Sequence, residues 1–299
     1  MLTTAVVGAG LMGHGIAQVV ACAGWPVTLY DPDDDALAGA LARMRANLAD
    51  LDLDPAIADM VRLESDLAAA VKDAEFVTEA APENLELKRG LFAEMSRLVA
   101  AETILASNTS VIPIGAIGAD TVDPGRVIGT HWWNPPVIVP LVEVIQAEAT
   151  RPAVVERTIA ALTALGKLPV HVKRDVPGFV GNRLQHALWR EAFALIDAGV
   201  CDPETIDLVI TQGFGSRLPV IGPVEGADLV GLDLTIAIHR YLLPALDAST
   251  TPSATLEAHV AAGELGMKTG QGFLAHEPGA GETTRTRLIK HLRTIFDPD

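Results

Sequence analysis

His131 and Glu143 are the residue types that an alcohol oxidation needs. Hydride removal from a carbinol carbon requires a base for the hydroxyl proton, and an imidazole, with an unperturbed pKa of about 6.5, suits that task near neutral pH. A carboxylate on the far ring nitrogen fixes the tautomer and stabilises the imidazolium. His131-Trp132-Trp133-Asn134-Pro135-Pro136 is followed by Leu141-Val142-Glu143, and the Pro-Pro turn between them permits a hairpin-like return of Glu143 to His131. Spacing alone leaves a second reading open, because a histidine beside two tryptophans is also what a packed core position looks like. The remaining histidines (His14, His171, His186, His239, His259, His276 and His291) lack such surroundings and read as structural or surface groups. The other segment able to carry chemistry is Ser107-Asn108-Thr109-Ser110, directly after the apolar run Ile104 to Ala106. Loops beyond strand C-termini are where open α/β sheets bind ligands.

Gly8-Ala9-Gly10-Leu11-Met12-Gly13 follows the apolar strand Ala5-Val6-Val7 and opens a helix. Gly8 permits a tight turn, Gly10 lets backbone approach a pyrophosphate, and Gly13 lets helix and strand pack closely. The helix N-terminus supplies N–H donors and a positive dipole end to phosphates. The GxGxxG pattern alone is a weak signal. Its context is stronger: it lies in a βαβ unit, and Asp31 ends the second strand 18 residues after Gly13, where the ribose acceptor belongs. A carboxylate there accepts from the ribose hydroxyls of NAD and repels the 2′-phosphate of NADP. The next residues, Pro32 to Asp35, bring no Lys or Arg. NAD is the expected cofactor.

The elements that must position these groups are readable from apolar spacing. Strands are expected at 5–7, 27–30, 75–78, 103–106, 126–129, 142–145 and 168–172, with helices at 11–23, 34–49, 84–100 and 152–165 between them. Such alternation implies a mostly parallel, doubly wound sheet of Rossmann type with helices on both faces. The pattern changes at Asp175-Val176-Pro177-Gly178. Beyond it only helices are expected, near 179–199, 203–213, 226–246 and 253–263, and the final stretch from Thr284 to Phe296 reads as an amphipathic helix packed on its own chain or on a second subunit. The expected organisation is an NAD-binding Rossmann domain over 1–176 and an all-α domain over 177–299 for substrate binding and dimerisation.

Composition narrows the function classes. A chain of 299 residues suits two domains, and 49% hydrophobic with 20% charged residues supports a sizeable core. The net charge of -16 repels nucleic acid and gives no global attraction to an anionic cofactor, so any phosphate site must be made locally. Two distant cysteines, Cys22 and Cys201, make neither a disulfide framework nor a CxxC pair, and no metal site is expected. With no signal-peptide pattern and no apolar run of the roughly 18–20 residues a membrane span needs, the expectation is a soluble, cytoplasmic protein.

Taken together, the motifs resemble the L-3-hydroxyacyl-CoA dehydrogenases. The matching pieces are GAGLMGHGIA (8–17), EAAPENLELKRGLF (79–92), ASNTS (106–110), GTHWWNPP (129–136), PLVEVI (140–145), DVPGFVGNRL (175–184), GP…D..GLD (222–233) and GMKTGQGF (266–273). The resemblance implies oxidation of a 3-hydroxyl to a 3-keto group, short-chain in preference, with His131 as general base and Glu143 as its orienting partner. It also implies that Ser110 contacts substrate and nicotinamide and that Asn182 helps hold the substrate oxygen. Asn134, Glu83, Lys88, Lys268 and the loop carrying Asn108 would line the NAD site, with Leu11, Met12 and Asp31 on the pyrophosphate and adenosine side. A homodimer through the helical domain is the family expectation. Without the resemblance, Lys88 on its helix would read as a solvated surface charge.

Two segments depart from the family pattern. Acyl-CoA-oxidising members carry a basic helical hairpin between their second and third strands that meets the CoA nucleotide. The corresponding stretch, about 33–66, holds only Arg43, Arg45 and Arg62 among many acids. Secondly, Phe214-Gly215-Ser216-Arg217-Leu218-Pro219 stands where those members are uncharged. It is similar to the branch that oxidises free hydroxy acids, including L-gulonate, carnitine and pyridine-carboxylate dehydrogenases. Arg217 could there clamp a substrate carboxylate bidentately, or else be a surface or dimer-contact arginine. A small hydroxycarboxylate is therefore the alternative substrate class, and a non-catalytic NAD-binding protein the remote one.

Overall fold

The computed structural model describes residues 1–296. In chain order the elements are β1 (Thr4–Val7), α1 (Gly13–Cys22), β2 (Val27–Tyr30), α2 (Asp34–Asp50), β3 (Val61–Glu64), α3 (Leu67–Val71), β4 (Phe76–Glu79), α4 (Leu85–Leu98), β5 (Ile104–Ser107), α5 (Ile114–Ile117), β6 (Val127–Trp132), β7 (Leu141–Ile145), α6 (Pro152–Ala164) and β8 (Leu168–Val172). The helices α7 (Gly181–Asp197), α8 (Pro203–Gln212), α9 (Pro223–Val230), α10 (Leu232–Leu242), α11 (Ala254–Ala261) and α12 (Ala280–Phe296) follow. The strands form one sheet in the order β3-β2-β1-β4-β5-β6-β7-β8. All neighbours run parallel except β6 and β7. The strand order reverses between β1 and β4, and a crevice beyond their C-terminal ends is the ligand position of a doubly wound sheet.

Period-two alternation explains why both faces are covered. Along β1, Val6 joins one buried cluster with Ile16, Val20, Met44 and Leu48, whereas Ala5 and Val7 join another with Phe92, Met95 and Ile117. Buried on both sides, the strands read as continuous apolar runs.

The chain forms two compact units, Met1–Arg183 together with the chain from Leu288 onward, and Leu184–Arg287. The loss of strand pattern near residue 176 marks a change of secondary structure, and the sheet-bearing unit continues for several residues past it. The final helix is longer than its apolar spacing suggested, and its end packs on its own chain: Arg293 donates to the Asp50 carbonyl at 2.7 Å and to Asp52 at 3.1 Å. The single helix expected over 226–246 is broken at Gly231, whose φ of +99° no helix accommodates. The stretch 33–66 holds one α-helix, a 3-10 turn over Pro55–Met60 and the strand β3.

Candidate active site

Antiparallel pairing of β6 with β7 puts His131 directly opposite Glu143. Their side chains meet, His131 Nδ1 lying 2.8 Å from Glu143 Oε2, with the residues 4% and 2% exposed. The second carboxylate oxygen, Oε1, accepts from the backbone N–H groups of Val180 and Gly181, each at 3.0 Å. Burial alone would push the Glu143 carboxyl up. The hydrogen bond from His131, the two amides and the attraction of the ring outweigh it, so its pKa lies below the usual carboxylate range. An ionised Glu143 takes Nδ1–H as its donor, which leaves the lone pair of the neutral ring on Nε2. Nε2 is then the atom able to receive a hydroxyl proton, and the resulting imidazolium stays paired.

The ring is held by aromatic neighbours, with its centroid 5.2 Å from Trp133 and 5.8 Å from Phe179. His131 is thus both a packed core residue and a carboxylate-paired one, and the two readings left open by spacing hold together. Gly181 makes this closeness available. A Cβ there would come within 2.3 Å of Trp133 Cζ2 and 3.3 Å of Glu143 Oε2.

Around this pair the loops after β4, β5 and β6 are cross-tied. Asn182 donates from Nδ2 to the Ser110 carbonyl at 2.8 Å. Asn108, buried, accepts the Trp132 N–H on its Oδ1 at 2.9 Å, so that oxygen pins the β5 loop to the end of β6. Asn134 is exposed just beyond β6. Glu83 Oε1 accepts from Thr109 Oγ1 and from the N–H groups of Ser110 and Val111. Burial pushes Glu83 up, yet these bonds and the Lys88 charge hold its carboxyl below the ordinary value.

Lys88 is 1% exposed. Its Nζ lies 2.7 Å from Glu79 Oε1 and 3.5 Å from Glu83 Oε2, and it also donates to the Ala81 carbonyl. Glu79, wholly buried, completes its shell with Ser107 Oγ and the Ala81 N–H. The surface reading of a helical lysine fails here, because two carboxylates and a carbonyl replace its water. Glu79 itself was not apparent from the sequence: it lies one residue past the expected strand 75–78, whereas the structure makes it the last residue of β4, and only its neighbours give the buried charge a purpose. The amides of Val180 and Gly181 were equally hidden, although Gly178, at a φ of +75°, and Gly181 in the motif DVPGFVGNRL mark a shaped backbone.

The dinucleotide loop suits its expected ligand. Gly8 has a φ of +107°, and a Cβ there would meet the Ala80 carbonyl at 2.8 Å. Helix α1 starts with no side-chain cap and no acid in its first turn, so its N–H groups remain available to a pyrophosphate. Asp31 accepts the Ala9 N–H on Oδ2 and the Asp33 N–H on Oδ1, leaving further lone pairs for ribose hydroxyls. Two groups missed by sequence reading hold the loop from behind: Arg43 donates to the Ala9 carbonyl at 2.8 Å, and His14 Nδ1 lies 2.7 Å from the Gly10 carbonyl. Leu11 is exposed and Met12 half-buried beside the loop. Arg217 and Lys268 belong to the helical unit, the first ending a 3-10 turn over Phe214–Arg217, the second exposed in the turn after Gly266.

Comparison with known proteins agrees with this geometry. Residues 3–176 match the family model described as 3-hydroxyacyl-CoA dehydrogenase, NAD binding domain, and residues 178–276 match the C-terminal domain of the same family. A relative in Mesorhizobium japonicum, 5-formyl-3-hydroxy-2-methylpyridine 4-carboxylate 5-dehydrogenase, is 36% identical over 98% of this chain and 97% of its own. A solved structure of an enzyme of that name, described as an NAD+-dependent dismutase, superposes with a TM-score of 0.92 at 34% identity, covering 99% of both chains. The (S)-3-hydroxybutyryl-CoA dehydrogenase from Ralstonia eutropha superposes with a TM-score of 0.76 at 33% identity, covering 93% of this chain and all of that one (100%).

Proposed function

The chain belongs to the 3-hydroxyacyl-CoA dehydrogenase family, and on that premise we propose that it oxidises the hydroxyl of a 3-hydroxyacyl substrate to a 3-keto group, with His131 as general base. The His131–Glu143 pair carries this reading, because a buried imidazole with Nδ1 tied to an ionised carboxylate has only Nε2 left for a substrate proton. NAD supplies the hydride acceptor when bound. The loop Gly8–Gly13, including Gly10, Leu11 and Met12, and Asp31 would hold its pyrophosphate and adenosine end. Glu83, Lys88, Asn108, Asn134 and Lys268 serve its nicotinamide end, Lys88 and Asn108 by positioning loops. Ser110 and Asn182, tied together by one hydrogen bond, serve the substrate oxygen.

A second reading of the substrate has its own support. Each arginine of the 33–66 stretch is engaged by its own chain: Arg43 with the Ala9 carbonyl, Arg45 with Asp59, Arg62 with Glu64. That stretch offers no unengaged cation to a CoA phosphate. A small free hydroxycarboxylate, with Arg217 on its carboxylate, then replaces the thioester without any change in the hydride and proton chemistry. The relative named for a pyridine carboxylate supports the same substitution.

We further propose a homodimer through the helical unit. Within Leu184–Arg287 the only buried large or small hydrophobic among the described residues is Ala192, whereas Leu208, Val224, Leu229, Leu232 and Tyr241 are all more than half exposed. Amphipathic helices must bury their apolar stripes, and a second copy is the partner that is always present. None of the described helices is long and apolar enough to cross a membrane.

NADH formation at alkaline pH, with 3-hydroxybutyryl-CoA, free 3-hydroxybutyrate, L-gulonate and carnitine in parallel, tests these readings. Turnover of the CoA ester alone removes the Arg217 clamp. Turnover of a free acid alone removes the thioester reading. Turnover of none, with NADH still bound, removes the dehydrogenase assignment for these substrate classes.

A further inference from the structure

Lys167 stands immediately after the turn that ends α6, where Gly166 adopts a φ of +76°. Its Nζ donates to the Pro136 carbonyl at 2.5 Å and the Val139 carbonyl at 3.2 Å, and lies 5.5 Å from the centroid of the Trp132 ring. None of the ion pairs among the described residues includes it. Burial holds its pKa down at about 8, as expected of an ammonium taken from water without a counter-ion. Lys167 borders a cavity of about 450 Å³ within the sheet-bearing unit, on the side of the sheet covered by α1 and α6. Leu53, Val137 and Phe296 are among the larger apolar groups of its wall, and Gln18 and the Cys22 thiol are its other polar side chains among the described residues.

We propose that this cavity binds a small amphipathic monocarboxylate, its carboxylate on the Lys167 ammonium and its apolar body against Leu53, Val137 and Phe296. A lysine has three donors, and two are spent on carbonyls, so one remains for an anion. A charge-assisted bond is stronger than a neutral one, and it would supply the counter-ion that the protein lacks here. The net charge of -16 repels anions from the surface as a whole, which makes a local cation the selecting feature. Inorganic anions forgo the apolar wall, and neutral amphiphiles forgo the cation. The volume lies in the range of small-ligand pockets. No residue assigned to the proton or hydride chemistry lines the cavity, so the proposal stands apart from the function proposed above.

Calorimetric titration of the full chain with octanoate, with 1-octanol as its neutral counterpart, tests the idea. Alkylation of Cys22 by N-ethylmaleimide reports location, and Cys201 serves as the control thiol. Octanoate should bind saturably and slow Cys22 alkylation while leaving Cys201 unchanged, and octanol should bind at least about tenfold more weakly. Lys167→Met should weaken octanoate by a similar factor, and Lys167→Arg should retain it. Because Lys167→Met also removes the two carbonyl bonds, Ala164→Trp provides a second route: it fills the cavity from an exposed wall position and should abolish binding with Lys167 intact. Equal binding of octanol, an unchanged Cys22 rate under saturating octanoate, or wild-type affinity in Ala164→Trp would each overturn the proposal.

Discussion

His131→Gln keeps a planar polar side chain opposite Glu143 and removes the proton acceptor. The expected outcome is a fall in kcat of about 10²–10⁴-fold or more, with NADH binding retained, read by steady-state turnover beside a fluorescence titration of NADH. Near-native turnover would remove His131 as the base. Glu143 adds a pH signature. Its folded pKa is depressed, so its contribution to stability is fully present above the ordinary value of 4.5 and is lost as the pH falls through its lower folded value. Urea denaturation of Glu143→Gln should therefore show the full deficit at pH 7, shrinking only in acid. Lys88 belongs to a different kind of test. It and Glu79 are buried together, so Lys88→Met strands a carboxylate and should cost about 3–5 kcal/mol in chemical denaturation. Adding Glu79→Gln to that variant should recover part of the loss.

At the scale of elements, the loop between β1 and α1 separates folding from cofactor binding. A Cβ on Gly13 would lie 1.7 Å from the Gly8 carbonyl oxygen, whereas a Cβ on Gly10 meets no protein atom within 4 Å. Gly13→Ala should therefore lower the melting temperature and lose NADH binding together. Gly10→Ala should melt like the wild type and lose NADH binding alone, by at least about tenfold, because only a bound pyrophosphate contests that space. An unimpaired Gly10→Ala would mean that the loop does not approach phosphate. The same loop shows what a sequence can and cannot convey. Its glycines and Asp31 are local signals at fixed spacing, and the structure builds them as the spacing suggests. The strands β1, β4, β5 and β6 announce themselves as apolar runs. The strand β3, Val61-Arg62-Leu63-Glu64, escaped because it is short, alternates with charge and lies at the sheet edge. Pairing of His131 with Glu143 was suggested by a Pro-Pro turn, but the amides of Val180 and Gly181 that complete the carboxylate come from far along the chain, and no local pattern encodes that return. The buried state of Lys88 was invisible for a different reason: its counter-ions Glu79 and Glu83 are near in sequence, but an acid-rich stretch before a helical lysine is equally the pattern of a solvated surface.

Over the whole molecule, the sheet-bearing unit has its own core on both faces, and the helical unit exposes the apolar side chains that a core would use. Marginal stability leaves no room for so much exposed hydrocarbon, which is why a second copy is expected on those helices. Two chains of net charge -16 also repel one another. Salt screens that repulsion and leaves apolar burial intact, so dimer affinity should rise as ionic strength increases. An interface dominated by ion pairs would respond in the opposite sense. Helix α9 offers the sharpest intervention, because Val224 and Leu229 are each 78% exposed. The double variant Val224→Glu and Leu229→Glu removes nothing from the core of the isolated chain and places two charges on a face that a partner must dehydrate. Sedimentation velocity should show the wild type as a dimer and the variant as a monomer. The melting temperature of the wild type should increase with protein concentration, and that of the variant should not, since only association links stability to concentration. If the variant remains dimeric with a wild-type melting curve, the partner copy sits elsewhere and α9 faces water.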